Sequence, residues 1–103
     1  MPRLTLTQVA AEELECALAD LGGFSLEAAA RLNSGIHHRL RSLAEFPEFG
    51  RRRPEYDEFA PGVRSTVVGR LVVFYHIPKP AHVEVLRVLD GRRDIDALLL
   101  PER

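Results

Sequence analysis

The chain has 103 residues, enough for one domain, and a chain of that size hides roughly two-thirds of the surface its unfolded form exposes. Apolar residues make up 46% and charged residues 28%, and Cys16 is the only cysteine, which excludes an intrachain disulfide framework and a cysteine-based zinc cage. The net charge of −1, from 14 Lys+Arg against 15 Asp+Glu, weighs against a surface built to track nucleic acid, because counterion release needs many cationic contacts.

At the N-terminus, Met1 to Thr7 has no continuous apolar segment and no small-residue cleavage site, so no secretory leader is expected and a reducing cytoplasm is the expected compartment. Leu4 and Leu6 alternate with Arg3 and Thr5, which predicts a short strand. Thr7 can then cap a helix with its hydroxyl. Ala10, Leu14, Ala17, Leu18 and Leu21 form one apolar stripe, with Glu12, Glu13 and Glu15 towards the helix start, where the macrodipole favours acids. Gly22-Gly23 should end this helix through a left-handed cap. Ser25 is the next cap candidate, and Ala29, Leu32, Ile36, Leu40 and Leu43 give a second stripe that should stop near Phe46, ahead of Pro47. Two amphipathic helices joined by a short Gly-rich link imply an antiparallel hairpin. Gly35, inside the second helix, costs about 1 kcal/mol relative to alanine, through either simple tolerance or close approach of another element.

Residues 47–62, around Arg51-Arg52-Arg53-Pro54, read as a long loop. Three strands follow: Val63 to Val68, Leu71 to Ile77 and His82 to Leu89. Gly69-Arg70 forms a two-residue hairpin turn, and Pro78 to Ala81 breaks the chain again. The middle run is apolar on both faces and should be central. Asp94 can cap a short last turn carrying Ile95, Leu98 and Leu99. Residues 1–103 therefore read as a single two-layer α+β domain: strand, helix, helix, then three antiparallel strands, with the helical hairpin on one face of a four-stranded antiparallel sheet. Val72, Phe74 and Leu86 suggest a partly apolar opposite face, open to a partner.

The sequence resembles the RelE/ParE superfamily of bacterial toxins, and the ParE branch most closely. The resemblance rests on Leu43-Ala44-Glu45-Phe46-Pro47-Glu48-Phe49-Gly50-Arg51, on Pro61-Gly62-Val63-Arg64-Ser65, on Val68 to Tyr75, and on Val85-Leu86-Arg87-Val88-Leu89-Asp90-Gly91-Arg92-Arg93-Asp94-Ile95. It implies the toxin of a type II toxin-antitoxin system, of the kind linked to plasmid stabilisation and growth regulation. ParE-like members poison DNA gyrase and are neutralised by a ParD-like antitoxin, often of ribbon-helix-helix type. RelE-like members cut messenger RNA on the ribosome. A shared fold does not choose between these activities.

The site residues weigh the choice. RNA cleavage needs proton-transfer groups beside cations. Arg64, Arg70 and Arg87 can supply cations, but no His or Tyr follows His82, and Asp90 stands where nuclease-type relatives often carry His. The reading is therefore a protein-binding toxin with no catalytic residue, no metal and no cofactor. The ribosome-dependent endonuclease is the alternative, and an inactive antitoxin-binding relic is a third. Arg64, Arg70, Arg87, Asp90, Arg92 and Arg93 are the expected partner contacts. Arg87 interrupts an apolar strand and needs a counter-charge, either Asp90 or Asp94 within the chain or an antitoxin carboxylate. Arg51-Arg52-Arg53 reads as solvated charge or as a partner contact. Tyr75 reads as core with a bonded hydroxyl and Cys16 as a small apolar or surface residue, while His37 and His38, adjacent on a helix, face about 100° apart and cannot share a metal. His76 and His82 face each other across the Pro-rich turn, without a third metal ligand.

Overall fold

Three side-chain caps set the helix starts. In the computed structural model, which describes residues 3–100, the hydroxyl of Thr7 accepts from the Ala10 amide and opens α1 (Gln8–Gly22). Ser25 Oγ accepts from Ala28 and opens α2 (Leu26–Glu45). Asp94 accepts from Ala97 and opens α3 (Ile95–Leu99). Each satisfies an amide that the first helical turn leaves without a partner. Helix α1 stops at the two glycines, but without a left-handed residue: Gly23 has φ −66°, and the amides of Gly23, Phe24 and Ser25 bond to Ala19 and Leu21 carbonyls. The end of α1 runs straight into the cap of α2, so the turn tightens in the right-handed sense.

The sheet is mixed and has five strands. Its order is β1 (Arg3–Leu6), β5 (His82–Asp90), β4 (Leu71–Lys79), β3 (Arg64–Val68) and β2 (Arg51–Arg52). The α+β class, element order and helical hairpin agree with expectation. Two details correct the four-stranded antiparallel sheet. Strand β1 pairs in parallel with β5, and the Arg51-Arg52 segment of the expected loop pairs with Ser65 and Arg64 as a short edge strand. Short 3-10 turns at Pro47–Phe49 and Pro54–Tyr56 occupy much of the remaining loop. Strand β4 also runs through Pro78 to Lys79, at a register irregularity, so the turn narrows to Pro80-Ala81. Ala81 takes φ 61°, a left-handed conformation that costs a side-chain-bearing residue energy. At the other hairpin, Gly69 has φ 58° between the paired Val68 and Leu71, the conformation that a first central turn residue of this kind requires.

Alternation along β4 divides the core in two. Leu71, Val73 and Tyr75 point towards the helices and pack with Ala10, Ile36 and Leu43. Val72 and Phe74 point the other way. They are buried with Leu89 beneath Tyr56, Ala60, Val63 and Leu99. The expected open apolar face is thus mostly filled by the chain itself: Val72 and Phe74 are 8% and 0% exposed, and Leu86 is half-buried. Tyr56 meets Phe74 edge to face, with ring centroids 5.7 Å apart, and its hydroxyl donates to Asp96 Oδ1 at 2.5 Å. That bond ties the 54–60 segment to α3. Burial and the Asp96 contact push the Tyr56 hydroxyl up to about 12.

Tyr75 anchors the connection from α2 to β2. Its buried hydroxyl donates to the Pro47 carbonyl and accepts from the Gly50 amide, each at 2.7 Å. A Cβ on Gly50 would run into the Tyr75 hydroxyl and lie 2.8 Å from the Ser65 carbonyl oxygen. Backbone and a buried ring cannot both yield, so Gly50→Ala is expected to cost about 1–3 kcal/mol by overpacking. Urea unfolding of the two proteins measures this, and an unchanged midpoint would contradict it.

Candidate functional site

The six residues expected to make partner contacts divide into two sets. Arg64 and Arg87 serve the fold. Arg64 donates to the Gly50 carbonyl at 2.8 Å and to the Glu48 carbonyl at 3.2 Å, which fastens the Pro47–Phe49 turn to β3. Arg87 pairs with neither Asp90 nor Asp94. Its guanidinium grips Glu13 of α1 through Nε at 3.0 Å and Nη2 at 2.7 Å. The second carboxylate task is on the same oxygen set: Glu13 Oε1 accepts the Val88 amide at 3.0 Å. Both side chains are about one-fifth exposed. The Glu13 hydrogen bonds raise the pKa of Arg87 and hold its charge in place despite partial burial.

The need for this arrangement lies in the sheet. Strand β1 pairs with β5 only as far as Val85, so the outer edge of β5 beyond it lacks a strand neighbour. Thr7 bonds there through its amide to the Val85 carbonyl and through its hydroxyl to the Leu86 carbonyl. Glu13 takes the next free group, the Val88 amide. Its signal in the sequence was an acid between Ala10 and Ala17 at helical spacing, matched by one arginine in an apolar strand. Each charge answers the other across 74 positions of chain.

Arg70, Asp90, Arg92 and Arg93 come together at one end of the molecule, where the β3–β4 turn meets the end of β5. Asp90 receives the Arg92 side chain at 2.9 and 3.1 Å and the Arg92 amide at 2.9 Å, with Arg70 Nε 3.6 Å away. These hydrogen bonds from Arg92, side chain first, hold the Asp90 carboxyl down from 3.8 to about 2. The same acid raises the pKa of Arg92. Arg70, Asp90 and Arg93 line a cleft of about 220 Å³ against α1, with Glu13, Cys16 and Asp20 on its far wall. Cys16 is an exposed thiol there.

Most of the candidate proton-transfer groups lie elsewhere. Tyr75 is buried, which pushes its hydroxyl pKa up, and both of its hydrogen-bonding directions are used. His76 and His82 do not face each other: His76 Nε2 lies 2.7 Å from Glu84 Oε1, and His82 Nε2 lies 3.0 Å from Thr5 Oγ1. The buried Nδ1 of His82 has no hydrogen-bond partner among the described residues. His37 and His38 are exposed on α2. Of the arginine run, Arg51 and Arg52 are exposed, whereas Arg53 donates to Ser65 and Glu55 and stacks over Tyr56 and Phe74. Among the described residues, no group of three His, Cys, Asp or Glu side chains is placed to hold a metal ion. Among the described residues, no helix is long and apolar enough to cross a membrane.

The family described as "ParE toxin of type II toxin-antitoxin system, parDE" matches residues 4–95. The chain belongs to that family. Two curated relatives named Toxin ParE1, from Mycobacterium tuberculosis strains CDC 1551 / Oshkosh and ATCC 25618 / H37Rv, are each 33% identical over 61 residues. The match covers 59% of this chain and 59% of each relative's length. A solved structure of the chromosomal ParDE system from P. aeruginosa superposes with a TM-score of 0.66 at 23% identity, over 87% of this chain and 96% of that one. That likeness supports the fold.

Two outcomes test the electrostatic assignments. Glu13→Gln leaves Arg87 without its counter-charge, and the expected cost is about 1–3 kcal/mol in denaturant unfolding. The double variant Glu13→Gln/Arg87→Met should recover much of it, because an apolar side chain can replace a semi-buried ion pair. For Asp90, the folded pKa lies below the unfolded one. Its stabilising effect is therefore complete above about pH 4 and lost as pH falls through about 2. Asp90→Asn should flatten the stability profile in that window and leave its shape at neutral pH unaltered, as read by unfolding at a series of pH values.

Proposed function

We propose that this chain, as one toxin domain over residues 1–103, acts in the cytoplasm by binding DNA gyrase. A ParD-like antitoxin encoded beside it would neutralise it. The family match over residues 4–95 carries this reading. The geometry supports a binding mode of action with no bond broken by the toxin. The exposed Arg70, Arg92 and Arg93 gather with the half-buried Asp90 at the Leu71–Asp90 end of the central hairpin. His76 stands about 17 Å along β4 from Leu71, at roughly 3.4 Å per residue, so it is out of hydrogen-bond reach of that cluster. Tyr75, one residue nearer, faces the helices and is fully buried.

The Arg92 side chain is 74% exposed while bonded to Asp90. Arg93 extends the same positive edge and lines the adjoining cleft. We assign target contact to Arg70, Asp90, Arg92 and Arg93, with Arg64 and Arg87 acting through the fold that presents them. Planar guanidinium groups suit carboxylates on a protein surface.

The test is a supercoiling assay with purified toxin, gyrase, ATP and relaxed plasmid. Loss of supercoiling and accumulation of cleaved plasmid are expected as toxin is added. Arg92→Ala/Arg93→Ala should require about tenfold more toxin, since each 1.4 kcal/mol of lost contact is a factor of ten. Unimpaired supercoiling at a large excess of wild-type toxin would overturn the reading.

A further inference from the structure

A groove of about 480 Å³ lies away from the charge cluster, between the 46–49 turn and the tip of the β4–β5 hairpin. Phe46, Pro47 and Phe49 line it from the turn, and Ile77 and Pro80 from the hairpin. Phe46 and Phe49 are 66% and 59% exposed, so two aromatic side chains of one short turn meet water. The turn itself is held firmly. Tyr75 bonds to the Pro47 carbonyl and the Gly50 amide, and Arg64 to the carbonyls of Glu48 and Gly50. Arg39 stacks over the Phe49 ring, 5.1 Å from its centroid. A fixed backbone that presents exposed aromatic rings is suited to anchor an interface, because little freedom is left to lose on contact.

The charge around these rings is divided by sign. Glu45 and Glu48 line the groove and are exposed, and their carboxylates form no hydrogen bond or ion pair among the described residues. Arg52 is exposed and equally unpaired among those residues. It stands opposite Arg64 in the β2–β3 register, so the two arginines project from one face of the sheet. Arg64 reaches the Glu48 carbonyl at 3.2 Å, which places Arg52 on the face that the turn covers. Opposed like charges repel, and Arg64 is bonded to carbonyls while Arg52 has no acceptor among the described residues. A carboxylate from outside the chain would balance it.

We propose that this face pairs with the same face of a second copy of the chain, across a two-fold axis at the Phe46–Phe49 turn. In a two-fold contact residue i meets j and j meets i, so the patch must complement itself. This one does. Rings meet rings at the axis, Glu48 of one copy meets Arg52 of the other, and symmetry repeats the pair. A patch of one sign could not close on itself in this way. Burial of the rings supplies the attraction, and the charges set the orientation. The contact is closed, so assembly stops at two copies. Its apolar centre is small beside that of a permanent dimer, which makes the pair weak and reversible. The Arg70, Asp90 and Arg92 cluster sits at the opposite end of the β4–β5 hairpin and stays open in both copies.

The test is sedimentation velocity of the full chain from about 1 to about 300 µM, a range that brackets weak self-association. The wild-type sedimentation coefficient should climb from the monomer value towards the dimer value and level off there. Glu48→Arg and Arg52→Glu should each weaken association about tenfold by opposing like charges. The double variant Glu48→Arg/Arg52→Glu restores opposite charges across the axis and should return to within about threefold of wild type. An equimolar mixture of the two single variants should associate where neither does alone, and thermal unfolding shows that each variant is folded. A wild-type chain that stays monomeric throughout overturns the proposal, as does association that the single variants leave unchanged. Failure of both the double variant and the mixture to associate overturns the two-fold pairing. If wild type stays monomeric and the double variant instead alters binding of an antitoxin or of gyrase, the face serves that partner and the proposal is again overturned.

Discussion

One carboxylate holds the architecture together. Glu13 neutralises Arg87 and accepts the Val88 amide, so a single side chain satisfies a semi-buried cation and an unpaired sheet-edge donor. Each of those groups, left without a partner, would cost free energy on folding. Because Glu13 is on α1, their satisfaction requires α1 to lie across β5 at one height. The apolar stripe of α1 then meets Val83, Val85 and Val88, and α2 follows through the short turn at Gly23. Hydrophobic contact alone tolerates sliding along a helix. The bidentate guanidinium fork does not, which makes it the element that sets the helical layer's register.

The sheet is the shared wall of two cores. Helices cover one face, while the 54–60 segment and α3 cover the other, so β4 is apolar on both sides for a reason. The second core is thin, and it is reinforced by specific contacts rather than by bulk. Tyr56 packs on Phe74 and bonds to Asp96, and Arg53 stacks across both rings while donating to Ser65. A guanidinium in that position keeps its polar edge bonded and lends its flat face to the aromatic pair.

Local rules made much of this legible. The caps at Thr7, Ser25 and Asp94, the stripe through Ile36 and Leu43, the stop before Pro47 and the Gly69 turn all depend on residues close in sequence. What escaped depends on distance. The parallel pairing of β1 with β5 joins residues about 80 positions apart, and two-residue β2 is too short to have a period. Arg87 announced that it needed a partner, but Asp90 and Asp94, close in sequence, were the acids expected within the chain, and only the fold brings Glu13 to it. The candidate site divided in the same way. Asp90, Arg92 and Arg93 are neighbours in sequence and remain so in space, whereas the groove between Phe46 and Ile77 exists only once the 46–49 turn is laid against the β4–β5 hairpin.

The shortness of β2 has a consequence for the cell. A sheet border is a template on which other chains can pair, and long apolar borders invite fibres. Here the border beside β3 is two arginines wide, and beyond it Arg39 occupies the Val67 carbonyl at 3.0 Å. A newly made chain therefore offers its siblings little to stack on. A margin only two arginines wide, with guanidinium groups along it, works against the edge-to-edge stacking of one copy on another.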